Sequence, residues 1–186
     1  MAETLGPYVK ALKPAEAAKF RRDTAEKFRD IITTLPAVDE VAAVAYAGRA
    51  KRGWYAHSAE AMVHVFGADA PRFAALLAAM SPQTSVEINL LNTAGTWQGW
   101  VRAGKPTDRD QIIRIMGQNV QGNNLTDSVL GAWINNSVRA LTSENPGQLV
   151  LSGPKVNSFY SNLIGITDEV TNDAWMANYA LVDQKI

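Results

Sequence analysis

The chain contains no cysteine and only two histidines, His57 and His64, among its 186 residues. The absence of cysteine excludes disulfide bonds, thiolate-bound zinc and cysteine-ligated iron–sulfur clusters. Two histidines are too few for most metal sites unless carboxylates complete the ligand set. We therefore expect a protein that works without a metal or any other cofactor.

Long apolar runs are also absent. No stretch approaches the roughly 20 uninterrupted apolar residues of a membrane-spanning helix, although apolar residues make up 47% of the chain. The first residues lack a basic start followed by an apolar run, so no secretory signal is expected. The composition suffices for a sizeable core in one domain or in two small lobes. These features predict an intracellular, cytoplasmic protein with no membrane partner.

Neither sign of charge is in excess, because 18 lysine and arginine residues balance 18 aspartate and glutamate residues. A protein that binds nucleic acid usually has a basic surface that complements the phosphates. Positive side chains are nevertheless clustered in residues 10–22, and again at Arg49, Lys51 and Arg52. Each cluster is typical of a solvated helix face. Overall neutrality favours a small contact area for any bound DNA.

Helical periodicity extends over nearly the whole sequence, and no segment alternates with a period of two for long enough to predict a strand. Capping residues, prolines and glycines divide the pattern into about nine helices. The predicted helix starts include Pro14, Ser58, Asp69, Thr84, Thr107, Thr126, Lys155 and Asp173. The predicted fold class is therefore all-α.

Lys155 and Asp173 are eighteen residues apart, and a turn containing Gly153 precedes the lysine. An amine can attack the anomeric carbon of a sugar, and a carboxylate can stabilise the positive charge that develops there. The pair is the minimal equipment for breaking an N-glycosidic bond. Without that chemistry, Lys155 is a surface lysine and Asp173 is a helix N-cap.

Three segments have an order and a spacing that match a known family. Ser81 and Gln83 form a Ser-x-Gln turn after an apolar helix, LVLSGPK (149–155) ends on a lysine, and VTND (170–173) ends on an aspartate. The set resembles the helix-hairpin-helix DNA glycosylase superfamily, especially its endonuclease III branch, over roughly residues 70–183. The segments RGWY and SPQTS are similar to those of phage proteins, which suggests a short phage-type member acting in the host cell.

The resemblance implies an all-α, two-lobed fold with an active cleft between the lobes. Residues 1–70 would complete one lobe, and residues 71–186 would form the glycosylase-like core with its hairpin near 149–155. The implied activity is that of a monomeric DNA glycosylase with AP lyase activity, which excises a base from a flipped-out nucleotide. Lys155 would be the nucleophile, and Asp173 its electrostatic and acid–base partner.

DNA-binding residues follow from the same resemblance. Gln83 would fill the gap that an extruded base leaves in the duplex. Gly153 would let a phosphate approach the backbone at the positive end of a helix dipole. Arg49, Lys51 and Arg52 would contact further phosphates.

The base pocket requires an aromatic slot, for which Trp54, Tyr55 and Trp175 are the candidates. We favour Trp54 and Tyr55 because they follow three basic residues and interrupt the helical pattern. Aromatic side chains are more often core residues. The tryptophans inside helical patterns are assigned to packing: Trp97, Trp100 and Trp133.

The sequence departs from the family in its hairpin, where Val150 and Leu151 replace a proline and a glycine. The family's cysteine-bound cluster is absent, and only thirteen residues follow Asp173. Two alternatives therefore remain open. One is a phage enzyme of the same fold that modifies thymine side groups without excising the base. The other is a helical DNA-binding or interaction module without catalysis.

Overall fold

The computed structural model describes residues 36–119 and 131–171, together with the isolated positions 14, 15, 18, 19, 129 and 176. Most of the helix predicted from Pro14 lies outside the described residues, as does the start predicted at Thr126. Asp173 and Trp175 also lie outside the described residues.

All regular structure in the described part is helical, which confirms the predicted all-α class. The α-helices of this part are α1 Val38–Ala47, α2 Trp54–Phe66, α3 Ala70–Ala79, α4 Val86–Arg102, α5 Arg109–Asn119, α6 Gly131–Thr142 and α7 Pro154–Leu163. Short 3-10 helices lie at Gly48–Lys51, Gly67–Asp69 and Pro146–Gln148.

Helix α3 is the centre of the core. Its sequence, APRFAALLAA, is apolar on almost every side, and eight of its ten residues are buried. A helix with this composition is stable only when other helices surround it. Helices α2, α4, α6 and α7 all pack against it. Met80 and Ser81, which follow the end of α3, therefore lie in the interior of the protein.

An aromatic cluster joins α3 to α2 and α4. The rings of Phe66 and Phe73 stack with centroids 3.9 Å apart, and Trp97 meets both of them edge-on at 5.5 and 5.8 Å. Trp100 lies beside Trp97 and donates its indole N–H to the Pro106 carbonyl at 2.9 Å. The assignment of the helical tryptophans to packing is confirmed, since Trp97, Trp100 and Trp133 are all buried.

The predicted starts of two helices are wrong by one or two residues. Helix α4 is capped by Ser85, whose hydroxyl accepts a hydrogen bond from the Ile88 amide at 3.3 Å, and not by Thr84. Helix α5 follows Asp108, whose carboxylate accepts from the Gln111 amide at 2.8 Å, and not Thr107. In both cases a neighbouring residue with equal capping ability takes the role.

The predicted start of α2 at Ser58 is also wrong, because the helix begins four residues earlier at Trp54. Gly53 adopts a left-handed conformation, with φ 87°, and ends the preceding 3-10 turn. Only glycine takes this conformation without strain. Trp54 and Tyr55 are therefore the first residues of α2 and do not interrupt the helical pattern.

Gly99 lies where α4 packs against α5. A Cβ atom at this position would lie 2.7 Å from Asn119 Nδ2 and 2.9 Å from Ile115 Cγ2. We expect Gly99→Ala to lower the free energy of unfolding by about 1–3 kcal/mol, because overpacking outweighs the gain of ~1 kcal/mol in helix propensity. Chemical denaturation measures the change. The control is Gly131→Ala, where an added Cβ meets nothing within 4 Å; equal losses in the two variants would contradict the prediction.

Candidate active site

A cavity of about 670 Å³ opens between α2, α3, α4 and α7. Met62, Phe73 and Leu77 supply apolar wall from α2 and α3. Hydroxyl and amide groups interrupt the apolar wall at Ser58, Ser81, Thr84, Ser85, Asn89 and Thr171. A mostly apolar cavity of this size with a few polar groups is typical of a small-molecule site.

Lys155 is the only charged residue among the described residues that line the cavity. It is the second residue of α7, directly after Pro154, and its side chain is half-buried. No carboxylate pairs with it in the part of the chain that the structure describes. The predicted position of Lys155 in the first turn of a helix is confirmed, and the residue lines the cavity.

Aromatic side chains from α2 and α7 form one end of the cavity. The rings of Trp54 and Phe159 are nearly parallel, at 17°, with centroids 6.1 Å apart. Tyr55 meets both rings edge-on, at 5.1 and 6.1 Å. The structure thus brings the predicted pocket residues Trp54 and Tyr55 together with Lys155. Phe159 was missed, although its spacing of four residues from Lys155 places both on one face of a helix.

The segment after α7 is tied to this aromatic wall. The Tyr55 hydroxyl is hydrogen-bonded to Thr171 Oγ1 at 2.8 Å. Buried Asn162 donates to the same Thr171 oxygen at 3.3 Å and accepts from the Glu169 amide at 3.0 Å. Residues 167–171 are therefore held against α2 and α7. Asp173, the second predicted catalytic residue, follows Thr171 by two positions in the sequence.

The loop before α7 is held by a buried asparagine of α6. Asn136 donates from Nδ2 to the Ser152 carbonyl and accepts at Oδ1 from the Ser152 amide, both at 2.8 Å. The Leu151 amide donates to Asn157 Oδ1 at 2.9 Å, and the Leu151 side chain is buried in the core. Leu151 is therefore a core residue that anchors the loop.

Gly153 completes this loop and precedes the first turn of α7. Its φ of 95° lies in a region that residues with side chains rarely adopt. No side chain caps the start of α7. The first amides of the helix are thus left without a side-chain acceptor, an arrangement that suits an anion such as a phosphate.

Tyr160 anchors the other side of the same loop. Its hydroxyl donates to the Pro146 carbonyl, and its side chain is fully buried. Burial raises the pKa of Tyr160 to about 12, because the phenolate would lose its hydration. The phenol therefore remains a donor to the loop throughout the neutral pH range.

Gln83 lies in the turn between α3 and α4. The turn is held in place by the Trp133 indole, which donates to the Pro82 carbonyl at 3.0 Å. Gln83 is exposed and has φ 57°, a left-handed conformation that costs a residue with a Cβ about 1–2 kcal/mol. Such strain concentrates at functional positions. The structure therefore presents this side chain to solvent on a rigid turn beside the wall residues Ser81 and Thr84.

Replacement of Gln83 by glycine tests this strain. We expect Gln83→Gly to raise the free energy of unfolding by about 0.5 kcal/mol, since relief of the left-handed strain exceeds the added entropy of the unfolded chain. If the side chain fills a gap in the duplex, the same variant loses affinity for DNA. Thermal denaturation and a duplex-binding assay measure the two effects. Gln83→Ala is the control, because it removes the amide and keeps the strain; a stabilised alanine variant would contradict the explanation.

The predicted basic residues lie in the 3-10 turn before α2. The Arg49 guanidinium stacks over the Tyr46 ring at 3.9 Å and donates to the Tyr46 carbonyl at 2.8 Å. Lys51 and Arg52 are exposed, and their side chains make no hydrogen bond or ion pair among the described residues. The basic residues are therefore followed closely in the sequence by Trp54, the first residue of α2 and one of those that line the cavity.

Over the described ranges, no three histidine, aspartate or glutamate side chains lie close enough together to hold a metal ion. Within the same ranges, none of the helices combines the length and the apolarity needed to cross a bilayer.

The fold and the cavity define an all-α protein whose aromatic pocket, in the described part of the chain, is lined by one lysine, Lys155. The chain belongs to the family described as Family of unknown function (DUF7178), whose model matches residues 24–185. That match includes every helix that forms the cavity. Neither the curated proteins nor the solved structures gave a significant match.

Proposed function

We propose that the protein is a DNA glycosylase with AP lyase activity, in which Lys155 attacks a flipped-out nucleotide. One observation carries the proposal: Lys155 lines the same cavity as the aromatic residues Trp54, Tyr55 and Phe159. Stacking on aromatic rings is how proteins hold an extruded base, and a lysine is the nucleophile that forms a Schiff base with a sugar.

The proposed reaction begins with attack of the neutral Lys155 amine on C1′ of the deoxyribose. The new N–C1′ bond forms as the glycosidic bond breaks, and the base leaves with the bonding electron pair and takes up a proton. Opening of the sugar ring gives a Schiff base; loss of a C2′ proton to water then expels the 3′ phosphate and cleaves the strand, and hydrolysis of the imine releases Lys155. Within the described part of the chain, no carboxylate forms an ion pair with Lys155.

Asp173 is proposed to stabilise the positive charge that develops on the sugar and to accept the proton of the attacking amine. Support comes from the segment that precedes it. Thr171 lies in the cavity wall and is bonded to both Tyr55 and Asn162. The chain is thus fixed at the wall two residues before the carboxylate.

DNA is proposed to bind in the cleft of a two-lobed helix-hairpin-helix arrangement, through few contacts. Gly153 and the uncapped start of α7 would receive one phosphate. Lys51 and Arg52 would contact the backbone beside the cavity. Gln83, exposed on its strained turn, would enter the gap in the duplex. A small footprint accords with a net charge of zero.

Borohydride trapping tests the proposal. The full chain is incubated with a duplex that contains one abasic site, and borohydride is added to reduce any Schiff base. A covalent protein–DNA adduct on the abasic strand, absent on intact duplex, is the expected result. Binding without an adduct would exclude lyase chemistry and would favour base modification or a monofunctional glycosylase. If the chain forms no adduct and does not bind the duplex, the proposal is overturned.

A further inference from the structure

Ser81 has a buried hydroxyl in the cavity wall that the proposed chemistry does not use. It is the second residue after α3 and precedes the turn that contains Gln83. Only 6% of the residue is exposed. Its Oγ atom nevertheless has no hydrogen-bond partner among the described residues. A buried hydroxyl without a partner is unfavourable, because folding removes its hydrogen bonds to water and replaces them with nothing.

The polar groups around Ser81 are already paired with one another. Asn89 donates from Nδ2 to the Leu77 carbonyl at 3.0 Å and accepts at Oδ1 from Thr93 at 3.3 Å. Leu77 lies one turn before Ser81, so the nearest backbone acceptor of the preceding turn is occupied. On the far wall, the Tyr55 hydroxyl is engaged by Thr171. Among the described residues that line the cavity, Ser81 thus has the one fully buried hydroxyl without a protein partner.

Two other buried hydroxyls of the described residues lack a partner, those of Thr96 and Ser137. Both lie inside helices, α4 and α6, where the carbonyl of the preceding turn is within reach of a small side-chain rotation. Neither residue lines the cavity. They therefore share the chemistry and the burial of Ser81 but not its location.

We propose that the Ser81 hydroxyl turns about χ1 from its buried position toward the cavity, hydrogen-bonds the polar edge of the base that enters it and thereby determines which base is accepted. The inference rests on the proposed glycosylase function and identifies how its substrate is read. The aromatic rings contact the face of a base, which is similar in all bases and gives little selectivity. The edges differ in their donors and acceptors, and a hydroxyl provides both. The ligand class is a planar nitrogen heterocycle with a carbonyl or amino group at its buried edge.

The test compares Ser81→Ala with Ser137→Ala, two variants that each remove one buried, unpaired hydroxyl. Neither should lose stability, since no hydrogen bond is broken. Base release is measured on duplexes that carry normal, deaminated, oxidised or alkylated bases, and borohydride trapping is measured on a ready-made abasic site. We expect Ser81→Ala to lower kcat/KM for base release by about tenfold or more. Its trapping on the abasic site should be unchanged, because no base occupies the cavity there. Ser137→Ala should match the wild type in both assays.

Two results would overturn the role of Ser81: base release equal to the wild type, or an equal loss on the abasic site. If the wild-type chain acts on none of the duplexes, the proposed function fails. The role of Ser81 is then tested separately by measuring the binding of the four free deoxynucleosides through tryptophan fluorescence. The Ser81 proposal then stands if the wild type and the Ser137→Ala variant both bind a nucleoside about tenfold more tightly than the Ser81→Ala variant does. It fails if no nucleoside binds or if all three proteins bind alike.

Discussion

Replacement of Lys155 by glutamine is expected to abolish the borohydride-trapped adduct and to lower strand cleavage at abasic sites by on the order of 10³-fold or more. Glutamine keeps the length and the polarity of the side chain but has no amine that can form a Schiff base. Gel analysis of the trapped species and of the cleaved strand measures both effects. Thermal denaturation should show little change, because Lys155 has no ion pair among the described residues.

Lys105→Gln provides the matched control. Lys105 pairs with Asp69 at 3.1 Å and does not line the cavity. Loss of this partly exposed ion pair is expected to change stability by less than about 1 kcal/mol and to leave trapping intact. Equal loss of the adduct in both variants would indicate a general effect of positive charge on DNA binding. Retained trapping by Lys155→Gln would remove Lys155 from the reaction.

Replacement of Asn136 by alanine is expected to lower the free energy of unfolding by about 2–4 kcal/mol, the largest stability effect that we predict. The side chain makes two hydrogen bonds of 2.8 Å to the backbone of Ser152. Alanine leaves both backbone groups without their protein partner and opens a cavity beside α6. Because this loop positions Gly153 and the start of α7, trapping by the folded variant should also become slower. Urea denaturation and the trapping rate measure the two consequences.

The neighbouring asparagine supplies the comparison. Asn135 is exposed on the same helix and accepts only a long hydrogen bond, 3.4 Å, from Arg109. Asn135→Ala should change the free energy of unfolding by less than about 0.5 kcal/mol. Alanine has the higher helix propensity, so propensity cannot explain a loss in either variant. Similar losses for the two variants would therefore contradict the two hydrogen bonds to Ser152 as the cause.

The helices themselves were predictable because their signals are local. Gly153 and Pro154 mark the start of α7, and Gly104, with φ 80°, follows the end of α4 as predicted. The errors arose where adjacent residues compete for one role. Thr84 and Ser85 are equally able to cap a helix, and only the packing of α4 against α3 selects Ser85.

The site was predictable residue by residue but not as an arrangement. The Trp54–Tyr55 segment and Lys155 are a hundred positions apart, and tertiary packing of α2 and α7 on α3 decides whether they meet. Phe159 was accessible from its helical spacing to Lys155. Ser81 was identified only as part of a motif, because its missing partner is a property of the packed interior. No sequence pattern records an absent hydrogen bond.

The near-parallel rings of Trp54 and Phe159 make the aromatic slot narrower than a guest requires. Stacked bases lie about 3.4 Å apart, so a ring between two others needs the outer planes to be separated by about 6.8 Å. The centroids are 6.1 Å apart, and entry of a flat guest must widen the gap between α2 and α7. Tyr55 lies in the first turn of α2 beside Trp54, and its hydroxyl is hydrogen-bonded to Thr171. Movement of α2 away from α7 therefore displaces residues 167–171. Occupancy of the slot is thus mechanically linked to the position of residues 167–171.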